Sequence, residues 1–91
     1  MYPITNYTKQ RARELGVIVK PSTRKDKKID IFRDDKKVAS VGAYGMNDYP
    51  TWLRLKGHSF AAERRRLYKI RHDKTRHVKG SPSWYADKLL W

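Results

Sequence analysis

Ten of the 26 residues from Arg54 to Lys79 are Lys or Arg, against two acids, Glu63 and Asp73. The net +8 of this stretch is most of the +13 carried by the whole chain. The chemistry open to such a run is electrostatic. Guanidinium and ammonium groups neutralise phosphates and release their counterions, so affinity falls steeply with salt. Arg65, Arg66 and Lys69, on one helical face, are candidate nucleic-acid contacts, with Lys74 and Arg76 beyond them. A second basic cluster, Arg24, Lys25, Lys27 and Lys28, lies in STRKDKK. That loop reads equally as a solvated turn and as a phosphate-contacting finger.

Other chemistries are weaker. His72 and His77 are five apart, so they do not share a helix face, and no HExxH pattern is present. The metal reading is therefore poor, and no metal ligand, catalytic residue or cofactor is assigned. There is no GxxxxGK[ST] or GxGxxG phosphate loop. No helix-turn-helix, zinc-finger or RNP pattern suggests sequence-specific reading. Asp48, His58, Tyr68 and His72 could converge in space, which leaves a small nuclease or DNA-processing enzyme as an alternative. The preferred reading is a structural network of Asp48, Tyr49, Arg64, Tyr68, Arg71 and His72 that locks the basic helix onto the Asp48-Tyr49 loop. Arg64 and Arg71, seven apart beside the apolar face, should pair with an acid such as Asp48 or frame a phosphate or carboxylate site. Tyr44, Tyr49, Trp52 and Trp84 offer rings for base stacking. With few aliphatics in the chain, packing in the core is the stronger expectation for Trp84 and Trp91.

The elements that must position these residues follow from periodicity and turn chemistry. Asn6 to Leu15 reads as a short helix, capped by Thr5 or Asn6 and stopped by Gly16. Its narrow apolar face is Tyr7, Ala12 and Leu15, with Lys9, Arg11 and Arg13 outward. Val17 to Val19, Ile29 to Arg33 and Lys37 to Ala43 read as a two- or three-stranded antiparallel meander, with Asp34-Asp35-Lys36 as a turn. Trp52 to Leu55 fits a strand or a helical turn equally. A long helix starts near Ser59, with Phe60, Leu67 and Ile70 on its apolar face. Ser81-Pro82 starts a last helix. Leu89, Leu90 and Trp91 form an apolar end that suggests docking, on the chain's own sheet or on another subunit.

The bulk numbers bound the rest. The 91 residues make one domain, with residues 1–16 as an N-terminal helical arm and 17–91 as an α+β core. A domain this small buries only about 60–65% of its unfolded surface, so its core is thin. Eleven aromatics argue against a disordered basic tail. The absence of cysteine excludes disulfides and thiolate metal sites. No apolar run approaches the roughly 18–20 residues of a membrane span, and MYPITNYTKQ lacks the apolar core of a signal peptide. A membrane partner is therefore not expected. The fold expected is α+β: a small antiparallel two- or three-stranded sheet packed against one long basic helix, with short N- and C-terminal helices.

Several elements occur in a distinctive order: the Gly42-x-x-Gly45 loop, Asp48-Tyr49, Arg64-Arg65-x-x-Tyr68-x-x-Arg71-His72, Ser81-Pro82 and Leu90-Trp91. This order resembles a family of small, basic, functionally uncharacterised proteins of large DNA viruses of algae and amoebae and of some tailed phages. The resemblance covers roughly residues 20–91. The segment TWLRLKG is an insertion relative to it, and Ala61 stands where the family often has an acid. It implies a viral origin and a virion role, with the host cytoplasm or nucleus as the place of assembly, and it supplies no reaction. The function expected is a non-enzymatic viral structural protein, a minor capsid or head-associated component. Its basic face would meet packaged nucleic acid or an acidic capsid surface, and its apolar C-terminus other virion proteins. The alternative is a free, non-specific DNA-binding protein.

Overall fold

The computed structural model describes residues 2–91, and the chain is α+β with a three-stranded antiparallel sheet. Helix α1 spans Asn6–Leu15. Thr5 caps it by accepting a hydrogen bond from the Thr8 amide, and Gly16, at φ 74°, ends it in the left-handed conformation that glycine adopts without a Cβ clash. Strands β1 (Ile18–Pro21), β2 (Lys27–Arg33) and β3 (Lys36–Ala43) follow in the order β1-β2-β3. The meander expected from alternation is present with all three strands. β2 and β3 meet at Asp34-Asp35, both at positive φ (52° and 65°). This is the two-residue hairpin geometry that Asp tolerates and that matches the sheet twist.

The central strand is buried on both faces. Ile29 and Ile31 point to one side and Lys28 and Asp30 to the other, and all four are buried. The core gathers Tyr2, Ala12, Val17, Ile29, Ile31, Val41, Tyr85, Leu89 and Leu90. Helix α1 is part of it, docked on β1 and on α4. Helix α4 (Pro82–Leu90) begins as expected at Ser81, whose hydroxyl accepts from the Trp84 amide, with Pro82 in its first turn. It packs on β3. Its C-terminal carbonyls are satisfied by α1. Thr8 Oγ1 donates to Leu89 O at 2.8 Å, Tyr7 Oη to Trp91 O at 3.2 Å, and Arg11 Nε to Lys88 O. Arg11 therefore faces inward, unlike Lys9 and Arg13.

One open choice is resolved here, and the expected cap and apolar face of the long helix are corrected. Trp52 to Leu55 belongs to a helix, α2 (Tyr49–Lys56), capped by Asp48 through the Thr51 amide. Helix α3 (His58–Arg71) starts one residue before Ser59 and has no side-chain cap, since Gly57 holds that position. Its apolar face is also rotated. Phe60, Leu67 and Ile70 are 42%, 41% and 62% exposed, whereas Ala61 and Tyr68 are buried. At 100° per residue the buried stripe lies roughly 130° from the expected one. The cause is the partner. α3 pairs with α2 as a helical hairpin, and the helix seated most closely on the sheet is α4. Leu89 and Leu90, 0% and 1% exposed, fill the core, and Trp91 stacks on Tyr68 with ring centroids 4.4 Å apart. Leu89 and Leu90 therefore dock on the chain's own domain, and Trp91 is half-buried against Tyr68. Among the described residues no helix is long and apolar enough to cross a membrane.

Candidate functional site: a basic cleft between α3 and the sheet

Three buried carboxylates decide where the cations go. Asp48 accepts from Tyr2 Oη at 2.6 Å and Lys28 Nζ at 3.0 Å on one oxygen, and from the Thr51 amide at 3.1 Å on the other. Lys28 Nζ also lies 5.2 Å from the centroid of the Tyr2 ring. Burial pushes the Asp48 carboxyl up, but the Thr51 and Tyr2 donors and the Lys28 charge together outweigh it and hold the group below its ordinary range. Burial, and then the Asp48 contact, push the Tyr2 phenol well up. Lys28 is thus the internal partner of Asp48, and the phosphate contact expected of it is withdrawn.

Asp30 is held by the Ser22 and Ser40 hydroxyls, each at 2.6 Å, by the Thr23 amide at 3.2 Å, and by Lys37 at 3.7 Å. Burial opposes the charge, but the Ser22, Ser40 and Thr23 donors and the Lys37 charge bring the carboxyl down to about 2. They also fold the basic loop 22–26. Its base is pinned to Asp30, Arg24 pairs with Asp26 at 3.4 Å, and Lys25 stands exposed at its tip. The loop is a structured turn.

Asp87, 2% exposed on α4, accepts from Lys69 Nζ at 2.8 Å and has Arg76 at 3.8 Å. Arg76 also donates to Lys69 O at 3.2 Å and pairs with Asp73. Lys69 and Arg76, expected on the phosphate surface, are tethers between α3, the turn after it and α4. The other expected contacts divide. Arg66 pairs with Glu63 on the surface, at 2.5 Å. Arg65 sits over the Tyr49 ring at 4.1 Å, a cation–π contact. Lys74 and Lys25 are exposed, and Lys27 is half-buried at the cleft described next.

The expected single network of Asp48, Tyr49, Arg64, Tyr68, Arg71 and His72 is split. Asp48 pairs with Lys28, not with Arg64 or Arg71. Tyr49 packs on the Tyr7 ring at 5.4 Å, and Arg64 lies over Trp52 at 5.4 Å. Trp52 is flanked by Phe60 as well, at 5.0 Å, and its Nε1 is buried without a hydrogen-bond partner. Tyr68 contacts His72 at 4.4 Å, and Arg71 Nε donates to His72 Nε2 at 3.4 Å. Burial lowers the His72 pKa, and the Arg71 charge lowers it further, so the ring is neutral at pH 7. Burial and then the Asp87 charge push the Tyr68 phenol to about 12, so it remains a donor.

Asp48, Arg64, Tyr68, Arg71 and His72 nonetheless line one cavity of about 650 Å³ between α3, β3 and the segment leading into α4. Its floor is apolar, with the buried Val41 and Leu90, and the exposed Ala43 and Val78 also line it. This cavity was not legible in the sequence. Its floor comes from β3 and α4, where Gly42, at positive φ, lies in close approach to Leu90. His58 and Tyr49 lie outside the lining, and Asp73 binds His77 at 3.2 Å on the surface. Among the described residues no three His, Asp or Glu side chains gather in a way that could hold a metal ion. No family model, curated protein or solved structure that was compared matches the chain.

Proposed function

We propose that the protein is a non-enzymatic nucleic-acid-binding domain that grips the phosphate backbone by charge and works as a minor structural component of a virus particle. One observation carries the binding reading. The three buried carboxylates, Asp30, Asp48 and Asp87, are used up inside the fold, while the exposed surface keeps most of a +13 excess. Lys25, Lys74 and Lys79 are exposed. Such a surface costs self-repulsion when free and is relieved by a polyanion. The virion placement rests on the family resemblance of the DY, RRxxYxxRH and LW elements.

The test is anisotropy of a labelled 20-base-pair duplex across a KCl series. The expected log–log slope is several units, and Lys25→Gln/Lys74→Gln/Lys79→Gln together should reduce it by about 2–3, near 0.9 for each phosphate left without its cation. Binding that ignores salt, or no binding at low salt, refutes the charge reading. Metal-dependent cleavage of the duplex by the intact protein refutes the non-enzymatic one. Mass spectrometry of purified particles tests the virion placement. Absence from the particle leaves the free DNA-binding protein.

A further inference from the structure

The cleft between α3 and the sheet differs from the outer basic surface in every respect that matters for a ligand. It is concave, and its volume of about 650 Å³ falls within the roughly 300–1,000 Å³ of small-molecule sites. One wall is aromatic, because His72, Tyr68 and Trp91 form a continuous column of rings at 4.4 Å centroid spacings, Tyr68 and Trp91 nearly parallel at 8°. The rim carries hydroxyls, with Thr75 Oγ1 and Ser83 Oγ 2.9 Å apart. Arg71 and Lys27 bring positive charge to it. Among the described residues Arg71 donates through its Nε, to His72, and its other guanidinium donors are open. Asp48 is the one acidic side chain in the lining, and Lys28 and Tyr2 already neutralise and bind it. No acidic side chain here is free to repel an anion or to select a cation.

An apolar floor with an aromatic wall suits a flat heterocycle, and a positive, hydroxyl-bearing rim suits a phosphate. We infer that this cleft binds a nucleotide unit, with its base against the His72–Tyr68–Trp91 wall and its phosphate at Arg71 and Lys27. Plain phosphate contact needs no apolar cavity, and an apolar ligand needs no Arg71. The neutral His72 ring serves as stacking surface and hydrogen-bonding group. The unit comes either from a free mononucleotide or from an unpaired nucleotide of a single strand. The cleft is separate from the duplex-binding surface, whose residues Lys25, Lys74 and Lys79 lie outside it.

The experiment is amide chemical-shift mapping on the full chain, titrated with adenosine monophosphate, adenosine, inorganic phosphate, N-acetyltryptophan and single-stranded dT12. Adenosine monophosphate should shift Gly42, Ala43, His72 and Ser83 with a Kd below about 1 mM. Adenosine and phosphate alone should each bind at least about tenfold more weakly, because each forfeits one half of the site. Arg71→Gln should weaken binding about tenfold through its charge-assisted bonds. Ala43→Trp, at an exposed strand end, should block the cleft by volume. Lys36→Gln, at the remote hairpin, should change nothing. Thermal melts of each variant show whether the fold is retained. Cleft shifts with dT12 stronger than with the mononucleotide identify a strand as the source, and the reverse identifies a free nucleotide. The inference is overturned if none of the probes shifts the cleft amides at 5 mM, roughly the weak end of specific binding. It is equally overturned if phosphate matches adenosine monophosphate, or if N-acetyltryptophan does, since the site is then selective for bare charge or for any aromatic anion.

Discussion

The Lys28–Asp48 pair should be the most stability-sensitive polar contact in the protein. Its side chains are 5% and 1% exposed, and three donors converge on the carboxylate. Asp48→Asn keeps an acceptor for the Thr51 amide, but an amide nitrogen replaces the oxygen that Tyr2 and Lys28 share, which strands the Lys28 ammonium. Leaving one member of a buried pair alone costs about 3–5 kcal/mol. A 91-residue domain has a total stability of about 5–14 kcal/mol, so the substitution removes a large share of it. At about 4–8 °C per kcal/mol for this size, a 3 kcal/mol loss lowers Tm by about 12–24 °C. The stranded charge is the cause, so adding Lys28→Met should restore at least about 1.5 kcal/mol, a coupling typical of contacting residues. The assay is urea unfolding followed by circular dichroism for the wild type, both single variants and the double variant. If Asp48→Asn costs under about 1 kcal/mol, or if Lys28→Met fails to recover stability in its presence, the buried-charge reasoning is wrong.

Three further outcomes follow from the same geometry. Asp87→Asn leaves Lys69 and Arg76 without their buried acceptor and should loosen α4 from the turn after α3; faster amide exchange from Arg71 to Ser83 than in β2 checks it. Gly42→Ala should destabilise, because φ is +83° and the new Cβ would lie 2.8 Å from Leu90 Cδ1; a melting curve reads the loss, expected at about 1–3 kcal/mol. Asp30 has a folded pKa of about 2 against its ordinary 3.8, so the stability it contributes is present above that ordinary value and fades as pH falls from 3.8 towards 2. Asp30→Asn should therefore flatten the acid limb of stability between those pH values, measured by unfolding at fixed urea.

Local signals reported the local elements well. Thr5 and Gly16 bracket α1, Ser81-Pro82 opens α4, and Asp34-Asp35 turns the hairpin, because capping and turn chemistry act within three or four residues. Long-range pairing was not legible. Asp48 lies 20 residues from Lys28 and 46 from Tyr2, and nothing in either neighbourhood marks the other. Helix α3 misled for a related reason. Phe60, Leu67 and Ile70 make the better apolar stripe by hydrophobicity, yet helix orientation is set by what the neighbours offer. α3 pairs with α2 and buries the small Ala61, and Trp91 offers a ring that Tyr68 meets. Arg64, Arg71 and His72, expected to lock α3 onto the Asp48-Tyr49 loop, instead border a cavity that needs β3 and α4 to exist.

The distribution of charge follows from the thinness of the core. A chain of 91 residues with few aliphatics cannot hold four helices and a sheet together by apolar burial alone. The structure supplements it with carboxylates at three junctions. Asp30 joins the 22–23 turn to β3 through Ser40, Asp48 joins Tyr2 and β2 to the start of α2, and Asp87 joins α3 and its following turn to α4. A carboxylate accepts several donors at once, so each junction fixes more than two segments. In a chain rich in cations each acid finds a partner wherever it is buried, and Lys37, Lys28, Lys69 and Arg76 are those partners. Cations therefore divide by location into those anchored to a buried acid and those left outside. The same division leaves the cleft with positive groups and no unpaired acidic side chain. A basic composition in so small a fold thus produces both the internal tethers and a cavity lined by cations, and the two cannot be varied independently at Lys28 and Asp48.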